Sequence, residues 1–331
     1  MTLTGSEADF GAAIEAYRRD VVLLCYRFMG SIADAEEAAQ ETALRAWRGR
    51  RSFRGDASVR TWLHRIAARV CLDLLRRRRA RVLPQDVRPP ASSLDATPEP
   101  TPTDIAWLEP IPDALVVGAE HDPAARYALR ESVSLAFIAA LQALPARPRA
   151  VLLLRDVLAW SARETADALG MSVAAANSAL HRARTALRAT HHRSGVDAVV
   201  SRPPDDPATR RLLAAYLRAW ESDDVPGLLA TMREDVRLAM PPSPSWYAGR
   251  SAVGALLRAW VFGPLRPAAG YRLHETAANA APAFVFGAAD PGAEPLGVHV
   301  LDIGVGGLRA ITVFLDGPLA MRFGPEPPAE P

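Results

Sequence analysis

The pattern of apolar and polar residues divides the chain into two kinds of segment. Up to about residue 190, apolar side chains recur every three or four positions, which is typical of helices that pack one face on a core. Beyond residue 230 the period shortens towards two, which predicts strands. The clearest helical run predicts a helix over residues 61–77, and its apolar stripe consists of Trp62, Leu63, Ile66, Val70 and Leu74.

Two amphipathic segments precede that helix. An apolar stripe runs from Ile14 to Phe28 and stops at Gly30. Ser31 or Asp34 then caps a second helix, which reads DAEEAAQETALRAWRG. The outer face of this helix is either a protein-docking surface or an ordinary solvated face, and its polar residues are Asp34, Glu36, Glu37, Gln40 and Glu41.

Residues 131–190 predict a helix-turn-helix. Ala166 and Ala176 are small enough for two helices to approach, and Gly170 supplies the left-handed turn between them. Ser172 is a good N-cap for a second helix over residues 173–189. In such motifs the start of the second helix enters the major groove, whereas a plain helical hairpin is the alternative. The side chains expected there are Ser172, Ala175, Asn177, Ser178, His181 and Arg182, with Arg184 and Arg188 on phosphates.

The remainder of the chain predicts an α+β domain with a curved antiparallel sheet. Helical patterns cover residues 211–220, 226–232 and 251–262, and strand-like runs cover 236–240, 271–275, 283–286, 297–303 and 309–315. The glycine-rich residues 304–307 have strands on both sides, so they predict a hairpin turn rather than a phosphate-binding loop. His299 alternates with Leu301 and Ile303 and is therefore expected to point inward.

Proline separates the two helical blocks. Nine prolines between Pro84 and Pro123 predict an extended, mobile connector. Within it the apolar island WLEPIPD, residues 107–113, is expected to dock somewhere rather than stay free, and a surface-packed Trp107 without special function is the alternative.

Charge is strongly segregated although the net charge is only +2. Residues 1–84 and 131–193 are basic, whereas residues 85–130 and 194–331 are acidic, and every basic residue other than histidine is arginine. Two basic blocks suggest two modules that bind a polyanion.

The most basic stretch, from Arg48 to Arg81, contains twelve arginines and two acids. Its loop, residues 52–56, carries Phe53. Arginine beside an exposed aromatic ring is typical of proteins that hold single-stranded nucleic acid, because the charge follows phosphates and the ring stacks on an unpaired base. A solvated helix face is the alternative.

Length and composition add four expectations. A chain of 331 residues should form two or three domains. Cys25 and Cys71 are expected to be buried, reduced thiols. The sequence shows neither a long apolar run nor a signal peptide, which predicts a soluble, cytoplasmic protein without membrane contact. No paired acid and base are visible, so we do not expect catalysis. No cofactor is expected, and two distant cysteines on apolar helical faces favour neither a disulfide nor a metal site.

Three motifs together resemble the extracytoplasmic-function group of bacterial RNA polymerase sigma factors. They are DAEEAAQETALRAWRG, SFRGDASVRTWLHRIAARVCLDLLRRRRAR and LPARPRAVLLLRDVLAWSARETADALGMSVAAANSALHRARTAL. More narrowly, WLEPIPD and DVRLAMPPSPSWYAGRSAV are similar to the subgroup with a C-terminal SnoaL-like domain of the NTF2-like cone fold. The resemblance implies two all-α sigma domains, regions 2 and 4, followed by that α+β cone.

The resemblance also implies partners and roles. Region 2 would bind core RNA polymerase through the acidic face and open the promoter −10 element, while region 4 would read the −35 element as duplex. The residues implied for strand opening are Ser52, Phe53 and Arg54 in the loop, and Trp62 with a helix face formed by Arg60, Arg65 and Arg69. Arg76 and Arg77 are expected on phosphates. Arg69, Asn177 and Ala179 depart from the residues that many relatives carry.

The cone domain is expected to regulate the sigma domains by packing on them or by sensing an unknown small ligand, in a cavity near His299 and Trp246. The expected division is 1–84 for region 2, 85–130 for the linker, 131–193 for region 4, 194–208 for a second linker, 209–320 for the cone and 321–331 for a disordered tail. A polymerase-independent duplex-binding regulator and a DNA-tethered enzyme are the alternatives.

Overall fold

The protein folds into two compact units. A computed structural model describes residues 7–53, 55, 57–91, 97–116, 128–194 and 206–324. The helical unit comprises Met1–Arg81 and Leu115–Asp197, and the α+β unit comprises Val82–Ala114 and Ala198–Pro331. Helical modules followed by a sheet-containing domain confirm the predicted fold class.

Four helices form the first half of the helical unit: α1 (Glu7–Ala16), α2 (Arg18–Met29), α3 (Ile32–Gly49) and α4 (Val59–Leu75). Gly30 ends α2 in the left-handed conformation, at φ 69°. The Ser31 hydroxyl accepts a hydrogen bond from the backbone N–H of Asp34 and caps α3, at 3.2 Å. A 3-10 turn, Arg50–Ser52, follows α3.

The apolar stripe of α4 differs from the predicted one. Leu63 and Val70 of the predicted stripe are buried, whereas Trp62, Ile66 and Leu74 are only half-buried. The other buried residues of the helix are Val59, His64, Ala67, Ala68 and Cys71. The prediction counted large apolar side chains alone. Because α4 packs on both α2 and α3, small residues on its inner side let the helices approach closely. Within the described residues Cys25 and Cys71 are buried free thiols.

The second half of the helical unit contains α5 (Leu135–Gln142), α6 (Ala146–Leu152), α7 (Ala162–Leu169) and α8 (Val173–Ser194). A single π-helical turn, Leu153–Val157, follows α6. Gly170 ends α7 at φ 62°, and Ala166 and Ala176 are 2% and 1% exposed. The predicted helix-turn-helix geometry is therefore present in α7 and α8.

A six-stranded sheet organises the α+β unit. Its helices are α9 (Pro207–Glu221), α10 (Val225–Ala230), α11 (Arg250–Leu256) and α12 (Gly317–Ala320). Its strands are β1 (Met232–Ala239), β2 (Trp246–Ala248), β3 (Tyr271–Ala278), β4 (Ala281–Ala288), β5 (Pro295–Gly304) and β6 (Gly307–Phe314). Their spatial order is β2-β1-β6-β5-β4-β3.

The sheet is not purely antiparallel, which corrects one prediction. β1 pairs with β6 in parallel, because the chain returns to β1 only after the β3–β6 meander. Sequence periodicity marks strands but not the direction of their partners. The glycine-rich turn after β5 is a hairpin as predicted, with Gly304 paired to Gly307.

The C-terminal end is more ordered than predicted as far as Gly324. Met321–Phe323 form a 3-10 turn, and the Thr276 hydroxyl donates to the Phe323 carbonyl at 3.2 Å. Residues 325–331 of the predicted disordered tail lie outside the described residues. In the described part of the chain, every helix is too short or too polar to span a bilayer.

Candidate nucleic-acid interface

Two aromatic rings meet where the loop after α3 enters α4. Phe53 is half-buried, and the centre of its ring lies 5.2 Å from that of Trp62. Behind them the buried Phe10 of α1 packs edge-on to Trp62 and to Trp47, at 6.2 and 5.7 Å. Phe53 and Trp62 therefore keep exposed ring surface on a supported base, which suits stacking with an unpaired nucleobase. The Ser52 side chain and Arg54 lie outside the described residues.

The expected arginine face of α4 is only partly formed. Arg60 and Arg69 are nine positions apart, which at about 100° per residue places them on opposite sides of the helix. The Arg60 guanidinium instead donates to the Asp20 carboxylate on α2, at 2.7 Å. The prediction that Arg60 shares a face with Arg65 and Arg69 is thus wrong. By the same angles, Trp62, Arg65 and Arg69 do lie on one side.

Arg69 contacts the helix-turn-helix. Its guanidinium donates to the backbone carbonyls of Ala168 and Asp167 at 2.8 and 3.5 Å. These carbonyls belong to the last turn of α7, where backbone acceptors lack helical partners and the helix dipole is negative. Two of the five guanidinium N–H donors of Arg69 are therefore engaged, and a phosphate at Arg69 must compete with α7 for them.

The end of α4 carries the predicted phosphate-binding pair. Arg76 and Arg77 are exposed. Arg76 also lies 3.4 Å from the Asp73 carboxylate, an exposed pair of small energetic weight.

The first two turns of α8 present a defined outer face. Ala176, Ala179 and Ala183 are buried against the rest of the module. Ala179 therefore faces inward and removes no charge from the outer surface. The residues predicted for duplex reading are all exposed, namely Ser172, Ala175, Asn177, Ser178, His181 and Arg182.

The two arginines expected to bind phosphates on α8 differ in their surroundings. Arg184 forms a two-bond pair with Asp156, at 2.7 and 2.9 Å, and these hydrogen bonds raise the pKa of Arg184. Arg188 is exposed.

The acidic face of α3 is largely paired with arginine. Asp34 accepts from Arg81 at 2.6 Å and also pairs with Arg78, which bonds Glu37. The Arg45 guanidinium bonds Glu41 at 2.7 Å. Gln40 is exposed and Glu36 is half-buried. This face is therefore a network of both charges rather than a purely acidic surface.

Two buried arginines, which sequence reasoning missed, join the two halves of the helical unit. Arg149 of α6 is 3% exposed and donates to the carbonyls of Phe28, Gln142 and Leu144, the last two at 2.9 and 3.0 Å. Arg27 of α2 donates to the Ser132 hydroxyl at 2.7 Å. Burial lowers the pKa of each arginine to about 10. An arginine's burial leaves no periodic signal, so neither could be recognised from the sequence.

The interior of the α+β unit is aromatic. His299 is fully buried, and its Nδ1 lies 2.9 Å from the Tyr216 hydroxyl. The rings of Phe286 and Trp220 lie 4.4 and 4.8 Å from the imidazole. Burial lowers the pKa of His299 to about 3, so the ring is neutral at physiological pH. Asp302, on the other face of β5, is paired with Arg309 at 2.8 Å.

Trp246 does not line this interior with His299. It lies on the edge strand β2, where its indole N–H donates to the Arg88 carbonyl at 2.8 Å and its own carbonyl accepts from Ala91 N–H at 2.8 Å. The backbone of Glu99 is bonded on both sides by serine hydroxyls, to Ser245 at 2.8 Å and Ser243 at 3.0 Å. Trp246 thus holds the linker.

The WLEPIPD island docks on the same unit. Ile111 is fully buried, and its backbone exchanges two 3.0 Å hydrogen bonds with Asn279 in the β3–β4 turn. The Asp113 carboxylate accepts from Ala280 N–H at 2.8 Å. The linker around these residues is therefore a docked strap rather than a mobile connector, since buried apolar groups and paired backbone fix it.

Comparisons with known proteins place these features in a family. The family described as sigma-70 region 2 matches residues 13–81, and the one described as sigma-70, region 4 matches residues 134–187. The ECF RNA polymerase sigma factor SigG of Mycobacterium tuberculosis is 42% identical over 318 residues, which is 96% of this chain and 84% of that protein. The ECF sigma factor SigJ of the same species is 30% identical over 67% of this chain and 62% of that protein. The crystal structure of the extracytoplasmic function sigma factor SigJ from Mycobacterium tuberculosis has a similar fold, with a TM-score of 0.58 and 21% identity over 96% of this chain and 99% of that chain.

Proposed function

The chain belongs to the extracytoplasmic-function RNA polymerase sigma factors, and on that premise we propose how its surfaces divide the work of initiation. The protein binds core RNA polymerase and directs promoter recognition and transcription initiation. The observation that carries the division is the supported pair of rings at Phe53 and Trp62, since a regulator of intact duplex has no use for a stacking platform.

Strand opening is the role of the platform and the arginines beside it. An unpaired −10 base stacks on Phe53 and Trp62, while Arg65 and Arg69 follow the phosphates of its strand. Only an unpaired base can stack on these rings, so the stacking energy stabilises the promoter after its strands have separated. Arg69 takes part where a phosphate competes with the carbonyls of α7 for its donors.

Duplex reading is the role of the exposed start of α8, on the −35 element. A duplex offers its base edges in the major groove, which admits a helix. Arg182 lies about 140° around α8 from Asn177, at the flank of the outer face, so it contacts a phosphate rather than a base edge. Arg188 contributes a second phosphate contact. Core polymerase docks on the α3 face, where Gln40 and Glu36 lie among the paired charges.

The direct test is transcription by purified core polymerase with this protein on genomic fragments. Run-off products should begin at discrete positions that depend on the added protein. A duplex-binding regulator independent of polymerase would instead bind the same fragments alone and leave random starts. Copurification of core polymerase with the tagged full-length protein is the companion measurement.

The C-terminal domain regulates initiation through the linker. The strap that it holds at Trp246, Ser243 and Ser245 is the covalent connection between the two promoter-binding modules. A held strap limits how far these modules can separate.

The linker role can be tested without removing the domain. Trp246→Phe deletes the donor to Arg88 but keeps an aromatic ring, and Ser222→Ala, an exposed serine on the same unit, is the matched control. We expect Trp246→Phe to change promoter output several-fold and Ser222→Ala to leave it unchanged. Deletion of residues 209–331 should change output in the same direction. Unaltered output in both Trp246→Phe and the deletion would contradict a regulatory role.

A further inference from the structure

The outer face of α8 combines apolar side chains with a single amide. Val173, Ala174 and Ala175 are exposed and have no polar side-chain atom, and Asn177 is exposed one turn after Val173. The burial of Ala176 and Ala179 fixes this orientation, because those residues pack on the module. The exposed groups at the start of α8 are therefore methyl groups, the hydroxyls of Ser172 and Ser178, and one carboxamide.

Asn177 is the one planar donor–acceptor side chain among residues 172–178. The Ser172 hydroxyl already accepts the Ala175 N–H at 3.2 Å as the helix cap. Ser178 offers a single hydroxyl, which pairs with any base. Arg182, nine positions after Val173, lies on the opposite side of α8 from it. The guanidinium on the same side as Asn177 is that of Arg184, about two turns further on, and it is paired with Asp156.

The exposed groups at the start of α8 suit adenine better than the other bases. Adenine presents the N7 acceptor and the N6 amino donor side by side in the major groove, and a carboxamide pairs with both. Guanine presents two acceptors, which suit a guanidinium or ammonium group that these two turns lack. Exposed valine methyls suit the C5-methyl group of thymine.

We propose that Asn177 reads an adenine of the −35 element through N7 and N6, and that Val173 contacts a thymine methyl beside it. The inference rests on the proposed placement of α8 in the −35 major groove. Affinity then comes mainly from phosphates, through Arg182 and Arg188, while base preference comes from Asn177. The two contributions separate because phosphate contacts are independent of sequence.

The test uses the full-length protein with core polymerase on promoter fragments in which each −35 base pair is varied. Wild type should prefer adenine at one position by roughly tenfold over guanine, as a bidentate contact supplies. Replacing that adenine by 7-deazaadenine, which lacks the N7 acceptor, should cause a loss of similar size. Asn177→Ala should lose the preference and respond equally to adenine and 7-deazaadenine.

Arg188→Ala is the control, because it should weaken all templates alike and reduce the salt dependence of binding by about one ion. Asn177 is exposed and alanine favours helix, so the variant retains its fold. The proposal is overturned if Asn177→Ala keeps the wild-type preference or if wild type tolerates 7-deazaadenine. If neither Asn177→Ala nor Arg188→Ala alters promoter binding while transcription still begins at discrete positions, α8 does not read the −35 element. Loss of discrete starts in wild type would instead contradict the proposed function.

Discussion

Removal of the Phe53 ring separates strand opening from duplex binding. Phe53→Ala deletes a half-buried ring whose contact is Trp62, at 5.2 Å. Such an aromatic pair contributes about 0.5–1.5 kcal/mol beyond area burial. A base stacked on an aromatic side chain contributes about 1–3 kcal/mol. A loss of stability affects closed and open complexes alike, whereas a loss of stacking affects only the open complex, so Phe53→Ala should reduce the open complex more than the closed complex.

The expected loss of open complex is therefore roughly 5- to 150-fold, at about 1.4 kcal/mol per factor of ten. Permanganate reactivity of thymines near the start site measures opening, and gel shifts on fully duplex promoter at low temperature measure the closed complex. Phe53→Trp should restore opening, since it returns a stacking surface.

Phe137→Ala is a matched control, because Phe137 is a half-buried phenylalanine on α5 of the same helical unit. It should lower stability by a similar amount without a selective effect on opening. Equal losses of closed and open complex in Phe53→Ala would refute the stacking role, and so would selective loss of opening in Phe137→Ala.

Three further predictions concern buried and paired charges. Arg149→Met should lower the free energy of unfolding by about 3 kcal/mol, because it leaves buried carbonyls unpaired, whereas Arg147→Met, on an exposed site, should be near neutral in thermal unfolding. Burial lowers the pKa of His299 to about 3, whereas the same imidazole in the unfolded chain has a pKa of about 6.5. Between these two pH values the unfolded chain binds a proton at His299 and the folded chain does not. The free energy of unfolding should therefore fall by about 1.4 kcal/mol per pH unit as the pH is lowered from about 6.5 towards 3. In urea unfolding, His299→Phe should reduce this dependence of the unfolding free energy on pH. The same pH dependence in wild type and His299→Phe would contradict the prediction. Asp156→Asn should free the Arg184 guanidinium for a phosphate and so steepen the salt dependence of promoter binding. An unchanged salt dependence would show that Arg184 does not contact DNA.

Local chemistry explains what could be predicted from the sequence. Gly170 between two short apolar patterns predicted the helix-turn-helix, because only glycine adopts the left-handed turn without strain. Alternation along β5 placed His299 inside, and residues 304–307 predicted the hairpin. Each of these features depends on residues within about one turn or one strand of each other.

Tertiary structure decided the features that depend on distant partners. Arg60 is drawn to Asp20, 40 positions away, and Arg69 to α7, 99 positions away, so one predicted arginine face became two separate contacts. Trp246 was expected near the interior, but it binds a carbonyl 158 positions earlier in the linker. Periodicity reports which side of an element is apolar, whereas the partner of a charge or an indole N–H depends on which elements the completed fold brings together. The sequence by itself therefore determined most of the elements, the helix-turn-helix and the family, and the tertiary structure alone determined which of their polar groups remain exposed.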